Sequence, residues 1–391
     1  MTPASHSTSD LTLPAASKPS WNPLRFDSPE LPTELLILAK VLALVLLLTN
    51  HVKILPDPWL PFVPGIDLLP AVPFQRTLQA VFVVSALAVL LNRRVRLASL
   101  ILGGSILLAV VSSKAYYGNN KTFCGLMLFF TGLHVPGGRP WPLRWQLGIT
   151  YFGAGLNKLL DGDWHTGIFF ENWAVNRLHQ PWYIALDSWL PPMALARLMC
   201  WTTIATELGV VPAIFIPKLY PLAIYANILF QAGLMLFTGT TFTLFFYAMS
   251  AASLAFVTWP KGPLPVQYDA DCGFASRVRR LFQLCDPERM FLWTPRNSGA
   301  DWMSLSIGDK IYSGFRALRM IVLLNPLTYL VIAGLIAAVP DMRSTALYRR
   351  VFVGLCLVLL MPPLAWIADK VFPASGARSA AGLEGLPFNR R

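Results

Sequence analysis

The sequence predicts a mainly α protein: a polytopic helical membrane bundle of about eight to ten spans, with a small α/β module near the C-terminus. Three observations lead there. Of the 391 residues, 55% are hydrophobic and only 13% are charged. Water-soluble domains carry about 25% charged residues, so most of this chain belongs in a bilayer. Apolar runs recur along the sequence, and the texture changes abruptly near residue 260.

In chain order, residues 1–32 are rich in Ser, Thr and Pro and lack the basic start and short apolar core of a signal peptide. They read as a disordered tail. The membrane domain is expected over 33–259, with apolar runs at about 33–50, 74–92, 96–113, 122–134, 145–160, 192–216, 219–238 and 241–259. Two further runs lie at about 321–340 and 350–369, and one of them is open to being an amphipathic helix of the module. Arg93, Arg94 and Arg96 form the strongest basic cluster, which places that turn on the cytoplasmic side. The net charge of +12 then suits a lipid bilayer with anionic head groups, and no nucleic-acid motif claims it. Five scattered cysteines (124, 200, 272, 285 and 356) form neither a disulfide framework nor a metal site.

The run that opens at Trp145 contains Lys158 and ends at an acidic, aromatic turn of Asp161, Asp163, Trp164 and His165. An ammonium group in hydrocarbon costs several kcal/mol, so this lysine either snorkels to the interface or works as a neutral amine in an enclosed site. On a helix, Ala154, Gly155 and Tyr151 share its face, and the two small residues leave room beside the amine. Glu207, an acid inside a later span, is its natural partner. His165 stands as a candidate acid–base group at the outer mouth, although a histidine beside tryptophan also suits a membrane interface.

Past the linker Trp259-Pro-Lys-Gly-Pro-Leu-Pro265, Val266–Asp269 alternates like a short buried strand, and a helix carrying Arg277, Arg279 and Arg280 runs to Leu284. Cys272 falls between them. A strand, a cysteine and then a helix is the arrangement in which a helix N-terminus stabilises a thiolate. The alternative is a surface cysteine in a loop.

The block from about 77 to 259 resembles the HTTM family, the membrane domain related to vitamin K-dependent gamma-carboxylases. The likeness rests on Trp141-Pro-Leu, Tyr151-Phe-Gly-Ala-Gly-Leu-Asn-Lys-Leu159, Asp163-Trp164, Gly167 and Thr206-Glu207-Leu208. It implies that Lys158 is a base toward a quinone in its hydroquinone form, because the carboxylase lysine at this position starts vitamin K hydroquinone oxygenation. Two departures stand out. Asn157 occupies the place of a second carboxylase lysine, and Gln231 aligns where relatives tend to carry histidine.

Residues 262–340 resemble the DCC thiol-disulfide oxidoreductase-like family, whose Tyr-Asp-Gly-x-Cys-x-x-Cys motif stands here as Tyr268-Asp-Ala-Asp-Cys-Gly-Phe-Ala275. Gly308-Asp-Lys-Ile-Tyr-Ser-Gly314 matches its closing hairpin. The resemblance implies a thioredoxin-like module over 260–340, and the apolar run at 350–369 gives a membrane helix and basic tail over 341–391. Ala275 replaces the second cysteine, so a mixed disulfide on Cys272 has no resolving thiol.

Together these readings predict a protein of the bacterial cytoplasmic membrane with the module in the cytoplasm. The expected function is that of a quinol-linked or peptide-modifying enzyme, acting on a quinol or a secreted peptide. The expected site residues are Lys158, Glu207 and Cys272. The alternative is a non-catalytic membrane scaffold whose module docks a partner.

Overall fold

The computed structural model describes residues 21–53, 59–238, 243–286, 288–296 and 301–337. The expected run at 350–369 and the tail over 341–391 lie outside these residues.

Residues 21–32 differ from the expected disordered tail: they form a strap on the bundle, with Phe26 and Leu31 each 2% exposed. Lys40 explains the strap. It is fully buried on α1 (Thr33–Leu48), and its ammonium donates to the carbonyls of Pro23 at 2.7 Å and Arg25 at 2.5 Å. The cation also faces the Phe26 ring. A charge inside an apolar helix has thus drawn polar main chain onto itself.

Against α1 pack α2 (Ala71–Leu90) and α4 (Asn119–Leu133), and α3 (Val95–Ser112) packs on both of these. The α3–α4 contact is backbone to backbone. A Cβ on Gly132 would lie 2.6 Å from Leu100 N and 2.7 Å from the Arg96 carbonyl, so only glycine permits this approach. Next comes α5 (Trp141–Leu160), then a stretch of short helices: α6 (Gly162–Thr166), α7 (Ile168–Glu171), a π-helical turn (Asn172–Arg177) and α8 (Pro181–Asp187). The bundle closes with α9 (Ala194–Phe215), α10 (Tyr220–Thr238) and α11 (Thr243–Ala252).

Of the described helices, α2, α3 and α9 are long and apolar enough for a straight membrane crossing. The shorter α1, 16 residues, spans about 24 Å and lies almost wholly buried at the centre.

The module is a four-stranded mixed sheet in the order β2-β1-β3-β4. Its elements are β1 (Leu264–Asp269), α12 (Gly273–Leu284), β2 (Phe291–Arg296), β3 (Met303–Ile307), β4 (Lys310–Ser313) and α13 (Gly314–Leu324). Strand β1 pairs parallel with β2 (Leu264 opposite Phe291) and antiparallel with β3 (Val266 opposite Leu305). Its burial alternates as expected, with Leu264, Val266 and Tyr268 inward.

The apolar run expected at 321–340 is divided. Helix α13 covers the sheet, whereas α14 (Pro326–Ala337) turns back through a 75° bend and packs on α1. If that bent pair is one crossing, the candidate spans number four. Glu288 ties the strap to the module, its Oε1 accepting the amides of Phe26 (2.5 Å) and Asp27 (2.8 Å). Burial pushes its carboxyl above the usual range, although the two amide donors oppose that shift.

Candidate functional site

Helix α5 starts with Pro142 in its first turn, where a missing N–H costs no hydrogen bond. It stops at Asp161, whose side chain accepts the Asp163 amide at 3.0 Å and so caps α6. Gly167 ends that helix at φ +88°, and a Cβ there would lie 2.9 Å from Arg197 N on α9. The turn is therefore pressed against α9, over the end of α5.

Lower on α5, Gly155 lets α9 approach. A Cβ at Gly155 would lie 2.8 Å from Leu208 Cδ2 and 3.2 Å from Glu207 Cβ. The small-residue face predicted to leave space beside the amine is thus filled by α9. What fills it includes the expected partner. Lys158 Nζ donates to both carboxylate oxygens of Glu207, at 3.0 and 2.9 Å, and lies 3.3 Å from the Ala154 carbonyl. The two side chains are 20% and 7% exposed. The Trp164 ring lies 5.1 Å from the ammonium and stacks on Phe169. The pair is enclosed on the Glu207 side and partly open at the amine.

His165 does not join them. Its Nε2 bonds the Leu159 carbonyl at 2.6 Å and its ring stacks on Trp201, so it closes the end of α5 from an exposed position. Asn157 is exposed as well, so the position of the second carboxylase lysine points away from the ion pair.

Cys272 sits elsewhere, half-buried at the N-cap of α12, with Ala275 fully buried beneath it. Cys285 lies at the far end of the 12-residue α12, about 18 Å along the axis. A disulfide needs Cα atoms within about 7 Å, so Cys285 cannot resolve a mixed disulfide on Cys272.

The sequence reading named Tyr151 and Gln231 separately but missed Asn227 and the network that joins the three. Tyr151, two turns before Lys158, donates its hydroxyl to Asn227 Oδ1 at 2.5 Å and accepts from Gln231 Nε2 at 3.1 Å. Asn227 Nδ2 in turn donates to the Met249 carbonyl and Ser253 Oγ at 2.7 and 2.8 Å. Tyr151, Asn227 and Gln231 are each 1% exposed. Gln231 Oε1 has no hydrogen-bond partner among the described residues. The available signal was Asn227 and Gln231 at i and i+4, two amides on one face of an otherwise apolar helix.

Fold and site together define a helical protein with candidate membrane spans and a largely enclosed lysine–glutamate pair on facing helices. The family model of the HTTM domain matches residues 130–259, one third of the chain. Over those residues the chain is similar to the HTTM domain, the likeness expected from its sequence. The match begins at Phe130, so α1, α2 and α3 lie outside it, whereas the likeness was expected from about residue 77. Lys158, Glu207 and the Tyr151–Asn227–Gln231 network all fall inside. No curated protein and no solved structure matches the chain.

Proposed function

We propose that this protein is a quinol-linked membrane enzyme in which Lys158 is the base and Glu207 its proton partner. The observation that carries the reading is the two-oxygen contact of Lys158 Nζ with Glu207 at 3.0 and 2.9 Å, beneath an aromatic turn. Within that contact one proton passes from the ammonium to the carboxylate, which leaves a neutral amine and a neutral acid. The amine then takes a proton from a substrate hydroxyl and returns to the ammonium form, and Glu207 releases its own proton. Water is kept from Glu207 by burial, which strengthens the coupling between the two groups.

A quinol supplies an acidic hydroxyl and reducing equivalents. The residues fit such a group: Trp164 and Phe169 offer aromatic surface near the partly open amine, and Gln231 Oε1 is a buried acceptor without a donor among the described residues. The sheet module, read as thioredoxin-like and facing the cytoplasm, then serves as a docking or regulatory unit, because among the described residues Cys272 lacks a second thiol within reach. A secreted peptide is the runner-up substrate.

The test uses purified protein under air with a reduced naphthoquinone, followed by ultraviolet absorbance. Wild type should oxidise the quinol. Lys158→Met/Glu207→Gln, which removes both charges, should lose at least about 100-fold while remaining folded. Equal rates would sink the proposal. A second reading, the scaffold, is favoured by the same ion pair acting as a clamp between α5 and α9. It requires that wild type show no turnover and extract no quinone.

A further inference from the structure

A groove of about 1250 Å³ lies between α2 and α3, roofed by the strap. It is somewhat larger than ordinary small-ligand sites, which run to about 300–1,000 Å³. Its wall is apolar and open: Val84 is 67% exposed, Leu97 47% and Ile101 41%. Its end is basic. Arg25, Arg93 and Arg94 line it, together with the acids Asp27 and Glu30.

Both acids are already engaged. Asp27 pairs with Arg25 at 3.2 Å, and Glu30 Oε2 accepts the Arg96 amide of the first turn of α3 at 3.0 Å. Arg93 and Arg94 have no carboxylate or side-chain hydrogen-bond partner among the described residues. The Arg93 guanidinium is held over the Trp21 ring at 3.9 Å. Asn92 fixes the roof, its Nδ2 donating to the carbonyls of Asn22 at 3.2 Å and Arg25 at 2.6 Å. One end of the apolar trough therefore carries a net positive charge, with two guanidiniums that no carboxylate contacts among the described residues. A soluble anion would leave the trough empty, and a neutral lipid would leave the charges unmatched.

We infer that the α2–α3 groove is a binding site for one anionic phospholipid, its phosphate at Arg93 and Arg94 and an acyl chain along Val84, Leu97 and Ile101. Guanidiniums match phosphate oxygens, and basic pockets between membrane helices take such head groups. The site lies outside the segment related to carboxylases, so it stands or falls apart from the Lys158 chemistry.

The test is native mass spectrometry of the full chain in a zwitterionic detergent, titrated with phosphatidylglycerol or phosphatidylcholine. Wild type should retain one phosphatidylglycerol in preference to phosphatidylcholine. Arg93→Gln/Arg94→Gln should bind it roughly thirtyfold more weakly, about 2 kcal/mol at 1.4 kcal/mol per decade. Val84→Trp, which fills the trough, should weaken both lipids. If the double variant fails to fold, Arg94→Gln, whose side chain is exposed, carries the same test with roughly a fivefold loss. Equal affinity of wild type for the two lipids overturns the inference. So does unchanged binding in the arginine variants, or displacement of the lipid by an equal concentration of inorganic phosphate.

Discussion

Replacing Lys158 by Met removes the ammonium 2.9 Å from Glu207 Oε2 and leaves a carboxylate whose side chain is 7% exposed without its cation. Removing one member of a buried pair costs about 3–5 kcal/mol, because the remaining charge stays desolvated. Here the lysine side is 20% exposed, so water can reach part of the vacated space, and about 3 kcal/mol is expected. Adding Glu207→Gln removes the stranded charge. The double variant should therefore recover about 2 kcal/mol of that loss, a rescue that independent sites cannot give. Thermal unfolding of wild type, both single variants and the double variant, in one detergent, closes the cycle. If Lys158→Met is neutral, or if Glu207→Gln adds a further loss on top of it, the two residues are not an energetically coupled pair.

Gly155→Val should cost about 1–3 kcal/mol and separate Lys158 from Glu207, since the space at that Cα is held by Leu208; thermal unfolding reads the first effect and loss of turnover the second. Tyr151→Phe strips the donor from Asn227 Oδ1 and the acceptor from Gln231, and should lower stability by about 1–3 kcal/mol in the same assay. His51, in the turn after α1, is pushed down to about 4 by burial and then by the Lys121 ammonium. A depressed folded value means that its contribution is present above its ordinary value near 6.5 and is lost as pH falls toward 4. Unfolding midpoints should therefore drop across that window, by at most about 1.4 kcal/mol per pH unit, and His51→Gln should flatten the slope. Mild oxidation should yield no Cys272–Cys285 cross-link in the intact protein, checked by peptide mass spectrometry.

Much of the helical layout was legible because apolar runs and their breaks are local properties. The described runs appear as helices close to where they were expected, and the strand–cysteine–helix order at 264–284 was readable from alternation and a proline-rich linker. The Lys158–Glu207 contact was legible for a different reason. Charges are so costly in hydrocarbon that two lone ones of opposite sign predict each other. The strap was hidden, because what orders it is Lys40, which lies in another element and seeks carbonyls that any sequence would supply. The role of the small-residue face was hidden too. Spacing shows which residues share a face, but not whether a pocket or a neighbouring helix occupies it. The amide network joins α5, α10 and α11, and such long-range pairing leaves no local trace beyond the polarity of Asn227 and Gln231.

The corner between α13 and α14 has a mechanical consequence. Pro326 has no amide hydrogen and keeps Asn325 extended, at φ −84° and ψ 111°. Asn325 then caps both sides, its Oδ1 accepting the Leu327 amide at 3.0 Å and its Nδ2 reaching the Cys285 carbonyl at 3.2 Å. The 75° bend is thus set by covalent geometry and braced to the end of α12. Because α14 packs on α1, the Asn325–Cys285 hydrogen bond ties the buried helices to the C-terminal end of α12 in the sheet module.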